Sequence, residues 1–170
     1  MPKPIFYFKK MDWWDIGSCL GYLILTLTIY KVSIDIHDAA LKKSIILFYS
    51  MGTHFFIYFF NYKSLRNLWV YFIWIGYGLI HIGLYFLFKD DVMLVMKKEG
   101  HASRLFLGTL PLLVLFQFLR FLSAKTQALE LVAPSKSVMD IWEERKVTFM
   151  DIVFFIVYLF SLISLDFWLR

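Results

Sequence analysis

The chain has 170 residues, 60% of them hydrophobic and 21% aromatic, with a mean hydropathy of +0.65 and a formal charge of +5. Soluble domains carry roughly 45–50% apolar residues, so this excess excludes an ordinary water-facing surface and points to lipid. The lone Cys19 excludes an internal disulfide and a cysteine-cluster metal site, and lysines and arginines placed beside apolar runs orient a chain in a membrane rather than bind nucleic acid.

In chain order, the first expected span runs from about Trp13 to Tyr30, between Asp15 and Lys31. Lys3, Lys9 and Lys10 before it resemble the basic region of a secretory signal. Asp12 and Asp15 interrupt that pattern and no small-x-small site follows, so the segment reads as a retained span. Asp35 to Lys43 reads as a loop. The second span, Ser44 to Tyr62, and the third, Asn67 to Phe88, hold no charged residue, and Lys63 to Arg66 is a tight turn between them. The fourth, from Leu105 to about Ala124, contains Pro111, which would bend it, and Arg120 near its end. The fifth runs from Val147 to Leu169, with Asp151 and Asp166 near its ends. Ala133-Pro134-Ser135-Lys136-Ser137 breaks the long connection before it, and Asp140 to Lys146 is either a surface-lying helix or a solvated linker. The runs are continuously apolar rather than alternating, which favours helices over barrel strands. The expectation is an all-α, polytopic transmembrane helix bundle of about five spans, forming a single membrane domain over residues 1–170.

Positive charge sets the expected orientation. One side gathers Lys3, Lys9, Lys10, Lys63, Arg66, Arg120, Lys125, Lys136, Arg145 and Lys146. The other holds Lys31, Lys42, Lys43, Lys89, Lys97, Lys98, Arg104 and Arg170, ten against eight. The amino terminus is therefore expected inside and the carboxyl terminus outside. The abundance of Phe, Tyr, Ile and Lys suits an AT-rich bacterial genome, hence a bacterial cytoplasmic membrane. Lys10 to Ile16 and Lys146 to Ile152 resemble one another: each places Lys, then aromatics, then Asp-Ile at a helix start, as shared interfacial rules would.

Polar groups inside spans are where function is sought, since each is costly in hydrocarbon. His54 and His81 stand in the second and third spans, about eight and fourteen residues from the turn, so roughly 9 Å apart in depth at 1.5 Å per residue. They read either as axial ligands of a haem b or as a pair of neutral, hydrogen-bonded packing residues; no other cofactor is implied. Gly17 and Gly21 form a GxxxG, and Gly76 and Gly83 a similar strip, as helix-packing candidates. Arg120 is expected to pair with Asp15 or Asp151 at the inner end of the bundle. No HExxH, GxSxG, GxxxxGK[ST] or GxGxxG occurs, so no catalytic residue is assigned.

These features favour a non-catalytic membrane subunit that assembles with or stabilises a larger membrane complex, with other integral membrane proteins and the bilayer as partners. A small transporter or channel working as a homo-oligomer, and a haem-b electron-transfer subunit, are the alternatives.

Overall fold

A reciprocal cap opens the first helix. The Asp15 N–H donates to the Asp12 carboxylate at 2.8 Å, and the Asp12 N–H donates to the Asp15 carboxylate at 3.1 Å. Two N–H groups that a helix start leaves orphaned are satisfied this way, and α1 runs Trp13–Asp35. The computed structural model describes residues 7–96, 100–134, 141 and 145–169, with side chains as far as 165.

Asp38 caps α2, Ala39–Phe59, by accepting from the Leu41 N–H at 2.9 Å. The helix therefore takes in Lys42 and Lys43, which the sequence places in a loop. Lys42 is buried there because the Asp91 carboxylate meets its ammonium at 2.6 Å. A 3₁₀ turn, Ser64–Arg66, leads to α3, Leu68–Phe88, whose cap Asn67 also exchanges hydrogen bonds of 3.2 and 2.8 Å with the Lys9 backbone.

The fourth span departs most from expectation. After an antiparallel pairing of Val95–Met96 with Gly100–His101, the chain enters the bundle as a 3₁₀ helix, Ala102–Gly108, and becomes α-helical only at α4, Thr109–Gln127. The 3₁₀ segment packs against α2, α3, α4 and α5. Pro111 therefore stands in the first turn of α4, where its missing N–H leaves no helical bond unmade; it does not sit in a helix interior that it would bend. Ala128, in the left-handed conformation at φ 54°, ends α4 and reverses the chain.

Helix α5 is Phe149–Leu169. Thr148 and Asp151 repeat the reciprocal cap of α1, the Thr148 N–H donating to Asp151 at 2.8 Å and the Asp151 N–H to the Thr148 hydroxyl at 3.2 Å. The likeness between the two Lys…Asp-Ile segments is thus a likeness of caps. The expected surface helix over 140–146 falls mostly outside the described residues, as does residue 170, and the side chain of Asp166 lies outside them as well.

Among the described residues, the architecture is all-α apart from that short strand pair. Trp13–Asp35, Leu68–Phe88 and the continuous helical run Ala102–Gln127 are long and apolar enough to cross a membrane. In α2 the two lysines lower the hydropathy of the first turns, and the apolar stretch of α5 with described side chains, Phe149–Leu165, is shorter. Large apolar side chains face outward on every side, among them Ile24, Phe48, Phe72, Phe118 and Phe160. Such a surface belongs in hydrocarbon.

Candidate functional site

The polar groups of the bundle interior converge on His81. On α1 the Thr26 hydroxyl donates to the Tyr22 carbonyl at 2.8 Å, and on α2 the Thr53 hydroxyl donates to the Tyr49 carbonyl at 2.7 Å. Each threonine commits its proton to the carbonyl four residues back, which leaves its oxygen an acceptor for the facing helix. Tyr22 then donates to Thr53 at 2.8 Å and Tyr49 to Thr26 at 2.7 Å. Both phenol oxygens turn their lone pairs to His81 Nε2, at 2.8 and 2.9 Å.

With two acceptors in front of it, Nε2 is assigned the ring proton, an assignment made from the network. His81 Nδ1 is then bare and accepts from the Thr109 hydroxyl at 2.7 Å. The Thr109 oxygen in turn accepts from His54 Nε2 at 3.2 Å. One tautomer in each histidine satisfies the whole set, and four helices are tied by it. His81 is 0% exposed and His54 3%, so every bond lies in a medium where an unmade one is expensive.

The two histidines therefore meet through a single threonine hydroxyl. Ligation of a haem iron would require His81 Nε2 to give up Tyr22 and Tyr49, or Thr109 to leave His81 Nδ1 and the space between the rings. Thr109 was missed in the sequence, as were Tyr22, Tyr49 and Thr53. One signal was present: Tyr-x-x-x-Thr occurs at 22–26 and again at 49–53, a spacing that places both side chains on one helix face.

A second polar cluster lies at the end of the bundle where α4 stops and α5 begins, and it corrects the expected charge pair. Arg120, fully buried, pairs with Glu130 rather than with Asp15 or Asp151. Its Nε donates to Glu130 Oε2 at 2.8 Å and its terminal nitrogen to Oε1 at 2.9 Å. The reversal at Ala128 returns Glu130 to Arg120, and two parallel bonds suit a planar guanidinium. Asp15 is occupied by its cap. Asp151 accepts two bonds of 2.8 Å from Arg145 and one of 3.1 Å from Gln127. Arg66 donates to the Leu131 carbonyl at 2.9 Å, so this cluster also fastens the connection after α4.

The glycine candidates make no close approach to the rest of the described chain. A Cβ at Gly17, Gly21, Gly76 or Gly83 would meet nothing within 4 Å. The close approaches are instead at Gly78, where a Cβ would lie 2.8 Å from Leu110 Cδ1, and at Gly108, where it would lie 3.0 Å from His54 Cε1. Gly108 thus lets the start of α4 come against the His54 ring. No family model, no curated protein and no solved structure matches this chain.

Proposed function

We propose that the chain is a non-catalytic integral membrane subunit that assembles with, or stabilises, a larger membrane protein complex. In this reading all five helices cross the bilayer of a bacterial cytoplasmic membrane, with the start of α1 inside. The observation that carries it is the outer face of α3. Trp69, Phe72, Gly76, Leu79, Gly83 and Phe86 follow one another at alternating intervals of three and four residues, with Trp69, Phe72, Leu79 and Phe86 each more than half exposed. That interval keeps one seam facing a neighbouring helix. The two glycines open hollows in it, and close backbone approach is how helices associate where lipid supplies no hydrophobic drive.

The interior supports the same reading. His54, His81, Tyr22, Tyr49 and the threonines bond to one another, and Arg120 bonds to Glu130. Groups arranged this way hold helices together, whereas a transport route needs polar groups lining a continuous path.

Affinity purification of the tagged chain from its own membrane in mild detergent tests the proposal. The expected result is a second membrane protein in fixed stoichiometry, whose recovery drops at least fivefold in Gly76→Leu or Gly83→Leu. A homo-oligomer free of other proteins would sink the subunit reading. A Soret band in the purified sample would move the histidines to haem chemistry.

A further inference from the structure

The segment before α1 is fixed against the start of α3. The Leu68 N–H donates to the Tyr7 carbonyl at 3.1 Å. The Lys9 N–H donates to the Asn67 side-chain oxygen at 3.2 Å, and the Asn67 amide donates to the Lys9 carbonyl at 2.8 Å. The Phe8 ring rests on Trp69, their centroids 5.0 Å apart. Residues 7–10 are therefore held as a strap, and the strap sets the positions of two lysines.

A recess opens between the strap and α3, lined by Lys9, Lys10, Trp69, Phe72 and Ile73. Trp69 and Phe72 are also the first two residues of the α3 seam, so a helix packed along the seam ends beside Lys9 and Lys10. Both lysines are exposed, and among the described residues neither ammonium forms an ion pair. Asp12 and Asp15, next along the chain, spend their carboxylates on the α1 cap. The recess thus holds two positive charges and no negative one.

From Trp69 to Phe86 the seam is roughly 26 Å long at 1.5 Å per residue, close to the thickness of the hydrocarbon core, about 30 Å. A helix lying along it therefore crosses the bilayer and brings one end to the lysines. Docking there takes water from two ammonium groups on an aromatic surface, which is costly unless an opposite charge meets them. Membrane helices ordinarily carry Lys or Arg at their cytoplasmic ends, the side on which the strap lies in the orientation proposed above. Such an end would be repelled. Anionic phospholipid head groups have the complementary charge too, but the strap favours a protein. Ammonium groups positioned in advance by backbone bonds gain most against a carboxylate that is itself fixed on a rigid helix.

We propose that the partner of the α3 seam is a transmembrane helix with an Asp or Glu at the end that meets Trp69, its carboxylate seated against Lys9 and Lys10. This partner chemistry rests on the subunit reading and adds to it the charge by which one helix is chosen over others.

Zero-length carbodiimide cross-linking in native membranes, followed by purification of the tagged chain in mild detergent, tests it. The reagent joins an amine to a carboxylate only where the two are in contact. Digestion should yield a peptide linking Lys9 or Lys10 to an Asp or Glu of the second membrane protein. Lys9→Arg with Lys10→Arg should keep recovery of that protein within about twofold, since the charge remains, and should abolish the cross-link, since a guanidinium forms no such amide. Lys9→Glu with Lys10→Glu should lower recovery by about tenfold or more, and changing the cross-linked acid of the partner to Lys should restore it. Both side chains are exposed, so the variants should match the wild type in circular dichroism and elution volume. A partner that depends on Gly83 yet is retained by the double Glu variant would overturn the acidic end and leave the subunit reading standing. So would loss of anionic phospholipid from that variant in native mass spectrometry with the partner kept, which would give the lysines to lipid head groups. A wild type that retains no partner would sink both.

Discussion

His81 receives three hydroxyls, from Tyr22, Tyr49 and Thr109, each within 2.9 Å of a ring nitrogen. Replacing it by phenylalanine keeps most of the volume and leaves those hydroxyls short of a partner. An unsatisfied buried group costs about 1–3 kcal/mol, and Tyr22 and Tyr49 retain their threonine bonds, so His81→Phe should cost about 2–4 kcal/mol in all. His54→Phe removes one longer bond and should cost about 1–2 kcal/mol. Thermal unfolding in detergent measures both, and equal losses would contradict the ranking. Near the opposite end of α2, Asp91 makes a different prediction. Burial pushes its carboxyl upward, but the hydrogen bonds from Lys42 and the Met93 N–H outweigh burial and hold it below the usual carboxylate range. A carboxyl whose folded value is depressed stabilises the fold fully above its unfolded value, about 3.9. That contribution is lost as pH falls through the folded value. Asp91→Asn should therefore lower stability at neutral pH by about 1–3 kcal/mol, with the gap to wild type closing below about pH 4. Unfolding midpoints of the two proteins across pH 3–7 would show it, and a constant gap would place the loss elsewhere.

Among the helices, glycine placement separates the two kinds of packing. At Gly108 a Cβ would press on the His54 ring, which Thr109 holds from its other neighbour, so Gly108→Ala should destabilise by about 1–3 kcal/mol. At Gly76 the added methyl meets nothing within 4 Å, and in the isolated chain Gly76→Ala should gain about 0.5–1 kcal/mol from helix propensity. Denaturation of the two variants side by side decides the matter. The same contrast shows how far the sequence could be read. Charge-free apolar runs announced the helices, since nothing else in a chain this apolar can satisfy its backbone in lipid. They could not announce that the fourth run starts as a 3₁₀ segment, because Leu105, Phe106 and Leu107 are as apolar in one geometry as in the other. Nor could spacing in GxxxG distinguish Gly17 and Gly21, which face open space, from Gly78 and Gly108, which touch neighbours. Arg120 was recognised as a buried charge in need of a carboxylate. Its partner was out of reach because the left-handed turn at Ala128, which returns Glu130, is formed by a residue that seldom adopts that conformation. His54 and His81 were both singled out, yet the Thr109 hydroxyl between them sits just where the 3₁₀ segment gives way to α4, a junction no periodicity marks.

For the whole molecule, the proposed five spans depend on α2 and α5, and the crossing of α2 can be tested directly. Its own hydropathy is weak because Lys42 and Lys43 lie in its first turns. Its neighbours argue for crossing. Tyr49 and Thr53, in the middle of α2, bond to Tyr22 and Thr26 in the middle of α1, and through His81 to α3. The helix is thus held at the depth of two segments that are long and apolar enough to span. If α2 crosses, the short link after α1 and the turn before α3 lie on opposite sides of the membrane. If it does not, they lie on the same side. His37 in the first and Lys63 in the second are both exposed, and the single native cysteine, Cys19, is buried, so introduced thiols can be labelled over a quiet background. In intact cells a membrane-impermeant maleimide should label His37→Cys and Asp90→Cys, and should reach Lys63→Cys only after the membrane is opened. Labelling of Lys63→Cys alone would keep the crossing and invert the orientation. Labelling of His37→Cys together with Lys63→Cys would lift α2 out of the bilayer, and the five-helix span would fall with it.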